Sequence, residues 1–224
     1  MIDVVTATRL SEADFWAQSA LGLSLARLKS DSRLKAFPSF ENRRGLPEVY
    51  NERLAAPDCA AHVVFVHDDV WLDDYFIADR VLEGVQRFDV IGVAGNRRRH
   101  PGQPSWAVVD HKLTPEEREY LSGCVAHGKQ PFGPVSTWGA VPAECEVMDG
   151  VLLAAKRDTL RAHDVRFDPR FAFHLYDIDF CRTARQKGLR LGTWPICITH
   201  QSRGRFGTQE WFESYGKYLE KWGS

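Results

Sequence analysis

The chain has 224 residues, 44% apolar and 26% charged, with 29 Lys plus Arg against 30 Asp plus Glu and a formal net charge of −1. This balance predicts a folded, cored, soluble protein and excludes a nucleic-acid binder that works by bulk charge. Cys59, Cys124, Cys145, Cys181 and Cys197 are odd in number, far apart and without a CxxC, which points away from a disulfide framework or thiolate zinc site and toward reduced, mostly buried thiols.

The start, Met1-Ile2-Asp3-Val4-Val5, lacks the basic segment and apolar core of a signal peptide. No apolar run approaches the roughly 20 residues that cross a bilayer, so a cytoplasmic protein is expected, with a peripheral membrane contact left open. Ile2 to Ala7 is predicted as a strand. Ser11 then offers an N-cap with Asp14 three residues on, and Phe15, Trp16, Ala20, Leu21, Leu25 and Leu28 recur at helical spacing. A second strand spans about Leu34 to Phe40, and Leu46 to Leu54 is a helix opened by Pro47. Ala61 to Val66 is apolar throughout, as a strand buried on both faces should be. Asp73 to Gln86 follows as a helix and Asp89 to Ala94 as a strand. This β-α-β-α-β-α-β order predicts an α/β domain with a parallel sheet between helices, and ligands beyond the carboxyl ends of its strands.

The segment from Asn96 to about Glu144 is richer in Gly, Pro and Trp and is expected as loops and short strands anchored by Trp106, Phe132 and Trp138. Arg97-Arg98-Arg99 within it suggests a solvated basic loop, or a hand-off point for a phosphorylated acceptor or an anionic membrane surface. Glu146 to Ala155 is predicted as a strand carrying Asp149-Gly150. Asp177 to Lys187 is a helix closed by Gly188, followed by strands at Leu189 to Thr193 and Ile196 to Thr199. Gln209 to Lys221 is a last amphipathic helix.

Three features in this order carry chemistry. His67-Asp68-Asp69 ends the apolar strand, where carboxylate oxygens suit Mg²⁺ or Mn²⁺ paired with substrate phosphates. Acidic pairs are also common on loops, so this one is informative only in company. Asp177 shares a helical face with Cys181, Ala184 and Gly188, the apolar face, which makes it the candidate base. Asp179 falls with Arg182, Thr183 and Gln186, and is expected to look outward and favour the helix dipole. His200 closes a late strand, as a structural residue or as a ligand.

Together, "ENRRGLPEVYN" with Gly45 and Asn51, "FVHDDVW", "FDPRFAFHLYDIDFCRTARQKGLRL" and "THQSRG" resemble, in order and over nearly the whole chain, the family 2-like glycosyltransferases with a GT-A fold. The resemblance is to a bacterial subgroup whose strand end reads His-x-Asp. It implies a single domain, Rossmann-like, with a mostly parallel central sheet: a nucleotide-binding half at about 1–95 and an acceptor half at about 96–224. It departs from the family where His67 replaces the first acid of the Asp-x-Asp motif, leaving the metal to Asp69 with Asp68 assisting, and where Tyr176-Asp177 stands for the usual Glu-Asp pair. The Gln-x-x-Arg-Trp of processive synthases is absent, and Gln201 to Arg205 is no substitute, so addition of a single sugar is implied.

The implied reaction moves a sugar from a nucleotide diphosphate donor, a UDP-sugar first, to a hydroxyl of a glycan, lipid-linked or protein acceptor, with inversion. Thr6, Ala7, Thr8, Glu41, Asn42, Asn51 and Asp68 would face the nucleotide, and Asp69 and His200 would hold Mn²⁺ or Mg²⁺. Asp177 would act as base, with Trp71, Asp149, Gly150 and His174 on the acceptor and sugar side. Two other readings are a non-catalytic nucleotide-sugar binding module and a metal-dependent nucleotide-sugar hydrolase.

Overall fold

The computed structural model describes residues 1–202, 204 and 206–223. Strand β1 (Ile2–Ala7) forms where predicted, with Ile2 to Val5 buried on both faces. The predicted first helix is two, α1 (Glu12–Gln18) and α2 (Ala20–Arg27). Ser19 between them is extended, accepts from Gly22 N at 2.9 Å and donates to Phe15 O at 2.8 Å. Its hydroxyl thus closes one helix and caps the next. The break also aims α2 at the predicted site, since Leu21 N donates to Asp68 O at 3.1 Å.

Then follow β2 (Leu34–Ser39), α3 (Leu46–Ala55) and β3 (His62–Val66). The predicted helix from Asp73 starts later, because Val70–Leu72 is drawn into a strand, β4, and α4 begins at Ile77 (Ile77–Arg87). The predicted strand from Asp89 divides into β5 (Val90–Gly92) and β6 (Ala94–Asn96), each in a different sheet. The middle region holds β7 (Leu121–His127), β8 (Val135–Gly139) and β9 (Ala143–Cys145). Trp106 is buried and Trp138 packs edge-on to it at 4.9 Å, whereas Phe132 is 64% exposed and is tied down by its N–H, which donates to Asp73 Oδ2 at 3.0 Å, and by the Arg27 guanidinium 5.9 Å from its ring. The predicted strand from Glu146 turns at Asp149-Gly150, giving β10 (Val147–Met148) and β11 (Leu152–Lys156). The remaining elements are α5 (Arg157–Ala162), α6 (Tyr176–Gln186), β12 (Leu191–Thr193), β13 (Ile198–His200) and α7 (Gln209–Trp222).

The central sheet runs β2-β1-β3-β11-β5-β12-β9. β2, β1, β3, β5 and β12 run one way, while β11 and β9 oppose them. β11 lies between β3 and β5, with Leu152 opposite Val66. Because β11 is antiparallel, its beginning lies at the carboxyl end of β3, which delivers the Asp149-Gly150 turn beside His67. A second sheet, β10-β6-β7-β13-β4 with β8 on β7, brings the end of β13 to the same edge. One hydrophobic cluster, from Ile2 to Tyr218, joins both sheets to the helices. All five cysteines are free, and Cys59, Cys145 and Cys181 are buried. No helix among the described residues is long and apolar enough to cross a membrane.

Candidate active site and cation centre

The strand ends bring together three side chains that are 133 positions apart at the extremes. One donor atom each from His67, Asp69 and His200 lie within 4.8 Å of one another. His200 Nε2 lies 3.2 Å from Asp69 Oδ1, and Gln201 N donates to Asp69 O at 3.0 Å. Burial works against the Asp69 carboxylate, but the hydrogen bond and charge of His200, with His67 and Ser202 adding, hold its pKa down at about 2. Burial likewise opposes a charged His200, yet the bond to Asp69 raises it, whereas burial lowers His67. Two imidazoles and a carboxylate form a donor set suited to a divalent cation, and the nitrogens favour a first-row transition metal over Mg²⁺.

Asp177 opens α6 beside this cluster. Leu175, its N-cap, is left-handed at φ 61, a sparsely populated conformation for a non-glycine residue and a kind of strain that gathers at functional sites. Asp177 Oδ2 accepts from Gly150 N and Oδ1 from Ile178 N, both at 2.9 Å. Burial, and then the charge of Asp149, push its carboxyl up to about 7 in spite of those two bonds. That is the range in which a carboxylate serves as a general base near neutrality. Asp149 itself accepts from Trp106 Nε1 at 2.7 Å and from Val151 N at 2.8 Å. Tyr176 lies between the parts, its hydroxyl 2.8 Å from His67 Nε2 and 2.9 Å from Gly150 O.

Other predicted residues are distributed around this centre. Thr6 and Thr8 are buried at the end of β1; Thr6 Oγ1 lacks a hydrogen-bond partner and Thr8 Oγ1 accepts from Leu10 N. Ala7 is half-buried, Glu41 is exposed at φ 46, and Asn42 N donates to Thr8 O, so this group lines one end of the parallel strands. Asp68 belongs with that group rather than with the cation cluster: burial raises its carboxyl, opposed by a hydrogen bond with Thr8. Asn51 is committed elsewhere. Its amide donates to Phe167 O at 2.7 Å and accepts from Phe167 N at 3.1 Å, tying the segment before α6 to α3. Gly45 completes that tie, since a Cβ there would meet Ala172 Cα at 2.9 Å. Trp71 is half-buried in β4 opposite Thr199, with its indole N–H unpartnered and with no ring contact to the cluster among the described residues. His174 is half-buried beside Phe173, at 5.1 Å between rings.

Asp179 corrects the sequence reading. It is fully buried and bonded to Lys221 Nζ and Trp222 Nε1, each at 2.7 Å, because α7 covers the face of α6 expected to meet solvent. In the arginine run, Arg97 and Arg99 are exposed, as expected of a solvated loop, whereas Arg98 is half-buried. Arg98 bonds Glu116 at 2.7 Å and stacks on Tyr120, while Arg99 lines a cleft of about 460 Å³ with Arg182, Arg185 and Trp222. Of the segment Gln201 to Arg205, Arg203 and Arg205 lie outside the described residues. Two side chains at the centre escaped the sequence reading. Phe173 is 51% exposed and stacks 6.1 Å from His67, and the His127 ring lies 6.5 Å from that of His200. Only the register His200 opposite His127 reveals the second, and local sequence does not encode that register.

No protein-family model matches the sequence, and no curated protein matches it. Solved structures do. The catalytic domain of Drosophila beta1,4-galactosyltransferase 7, in complex with xylobiose, aligns over 95% of this chain and 78% of its own at a TM-score of 0.52 and 10% identity. GalNAc-T7, solved with UDP, GalNAc and Mn²⁺, aligns over 98% of this chain at a TM-score of 0.50 and 11% identity, and the chain spans 48% of its length. The chain is thus a single mixed α/β domain with the GT-A fold, a central sheet flanked by helices.

Proposed function

We propose that the protein is a metal-dependent glycosyltransferase, family 2-like and bacterial, that moves one hexosyl unit from a nucleotide diphosphate sugar to an acceptor hydroxyl with inversion and without processivity. The observation that carries this reading is the meeting of His67, Asp69 and His200 at the strand ends, linked to Asp177 through Tyr176 and Gly150. The same-fold proteins solved with UDP, GalNAc and Mn²⁺ and with xylobiose favour a UDP-sugar donor and a glycan acceptor. His67, Asp69 and His200 would hold the cation, Mn²⁺ in preference to Mg²⁺, and it would supply charge neutralisation for the departing diphosphate. Thr6, Ala7, Thr8, Glu41, Asn42 and Asp68 border the nucleotide, in a donor half at 1–95. The acceptor half, 96–224, carries Asp177, whose carboxylate takes the proton of the acceptor hydroxyl. The acceptor oxygen bonds to the anomeric carbon as the carbon–oxygen bond to the diphosphate breaks, and the electron pair leaves with the nucleotide. Asp149, Gly150 and His174 border the sugar side, and the work is cytoplasmic glycan biosynthesis.

Donor turnover measured with Mn²⁺ and with Mg²⁺, in the presence and absence of candidate glycan acceptors, tests this. Acceptor-dependent release of UDP, greater with Mn²⁺ and lost in Asp69→Ala, is the expected result. Release that ignores the acceptor would make the protein a hydrolase. Binding of UDP-sugars without any release would make it a non-catalytic binding module.

A further inference from the structure

We infer that Tyr176 is a positioning residue that fixes the tautomer of His67, so that Nδ1 is the imidazole nitrogen offered to a cation, and that the backbone of Gly150 ties this arrangement to Asp177. The inference deepens the cation-site reading above and rests on it for its second measurement alone. A phenol carries one proton, and a carbonyl oxygen only accepts. The Tyr176 hydroxyl, 2.9 Å from Gly150 O, therefore spends its proton there. Its 2.8 Å contact with His67 Nε2 then requires the nitrogen to donate and the phenol oxygen to accept. A neutral imidazole protonated at Nε2 has its lone pair on Nδ1, so the hydrogen bond made by one nitrogen selects the other as ligand.

The backbone of the same residue holds the base. Gly150 N donates to Asp177 Oδ2 at 2.9 Å, so its amide serves the carboxylate while its carbonyl serves the tyrosine. Only glycine fits at this junction: a Cβ would lie 2.3 Å from the Tyr176 hydroxyl oxygen and 2.8 Å from Asp177 Cβ. An ionised acid at position 176 could not donate to the Gly150 carbonyl, which accounts physically for a tyrosine immediately before the base.

The test begins on the metal-free full chain labelled with ¹⁵N-histidine. Long-range proton–nitrogen correlation spectra at pH 8, with the His67 signals assigned by their loss in His67→Gln, read the tautomer directly. Nε2–H is expected in the wild type, and a mixture of both tautomers in Tyr176→Phe. Mn²⁺ calorimetry should then show affinity about 10–100-fold weaker in Tyr176→Phe, the usual loss when an outer partner of a ligand is removed. A wild-type spectrum with Nδ1–H overturns the inference without any variant having to fold. A wild-type Mn²⁺ affinity in Tyr176→Phe also overturns it. Absence of Mn²⁺ binding by the wild type would sink the proposed function instead, and the metal-free spectrum would still decide the tautomer.

Discussion

Asp177 is a carboxyl held where burial and the neighbouring Asp149 both oppose its charge, and its proton release is displaced to about 7. Its working form as a base is the ionised one, so kcat/KM should climb about tenfold per pH unit below 7 and level off above it. Asp177→Asn should lose about 10²–10⁴ in turnover, and the inflection with it, while Mn²⁺ binding by calorimetry holds. The sign for stability is opposite. Between the ordinary 3.8 and about 7 the folded protein keeps a proton that the unfolded chain has released, so stability falls as pH rises through that window. Melting curves should therefore show Asp177→Asn more stable than wild type at pH 8 and equal to it at pH 4. The burial of this residue was legible from its helical phase, and the approach of Asp69 to His200 from their places at strand ends. Tyr176, Gly150 and Phe173 were not legible as a group, because a hydroxyl bridging two distant segments leaves no periodic trace in the sequence. Asp179 was misjudged for a related reason: the phase of one helix does not disclose that another helix will cover its outer face.

That covering defines a clasp at the level of elements. α6, which opens on the candidate base, is held to α7 by Asp179 with Lys221 and Trp222, and by Arg182 Nη1 donating to the Tyr218 hydroxyl at 2.9 Å. Lys221 also reaches Asp168 at 2.8 Å, so the segment leading into α6 joins the same clasp. Asp179→Asn removes a charge-assisted pair from a closed site, a loss of about 1.5–3 kcal/mol. Calorimetric melting should fall by several degrees, with turnover below the melting range unchanged; a loss of turnover without a loss of stability would contradict the clasp. Element ends marked by local chemistry were legible, as at Ser11, Pro47 and Gly188, because a cap or a fixed φ acts within a few residues. Breaks decided by distant partners were not. Ser19 looks like any serine within a helical pattern, and the division after Gly92 exists because β5 and β6 pair in different sheets.

Across the whole molecule, four of the five parallel strands were read from their alternation with helices, whereas β12 was read only as a strand and the strand opposed to them at the centre was not placed. β11 comes from residues 152–156 yet lies between β3 and β5, pairing with Phe65 on one side and Gly92 on the other through Leu153. The first 95 residues alone therefore leave both β3 and β5 with an unpaired inner edge, the kind of edge that recruits other chains. A 1–95 fragment should be unfolded or aggregated by circular dichroism and light scattering, and a soluble, cooperatively melting fragment would show that these residues stand alone. This placement also governs how such a protein can be recombined. A chimera that borrows the second half of another GT-A chain would import a foreign β11 into the middle of the native sheet. The graft succeeds only where the incoming strand presents small residues like Ala154 and Ala155 to both neighbours, so exchange of halves is coupled to core compatibility rather than to surface loops alone.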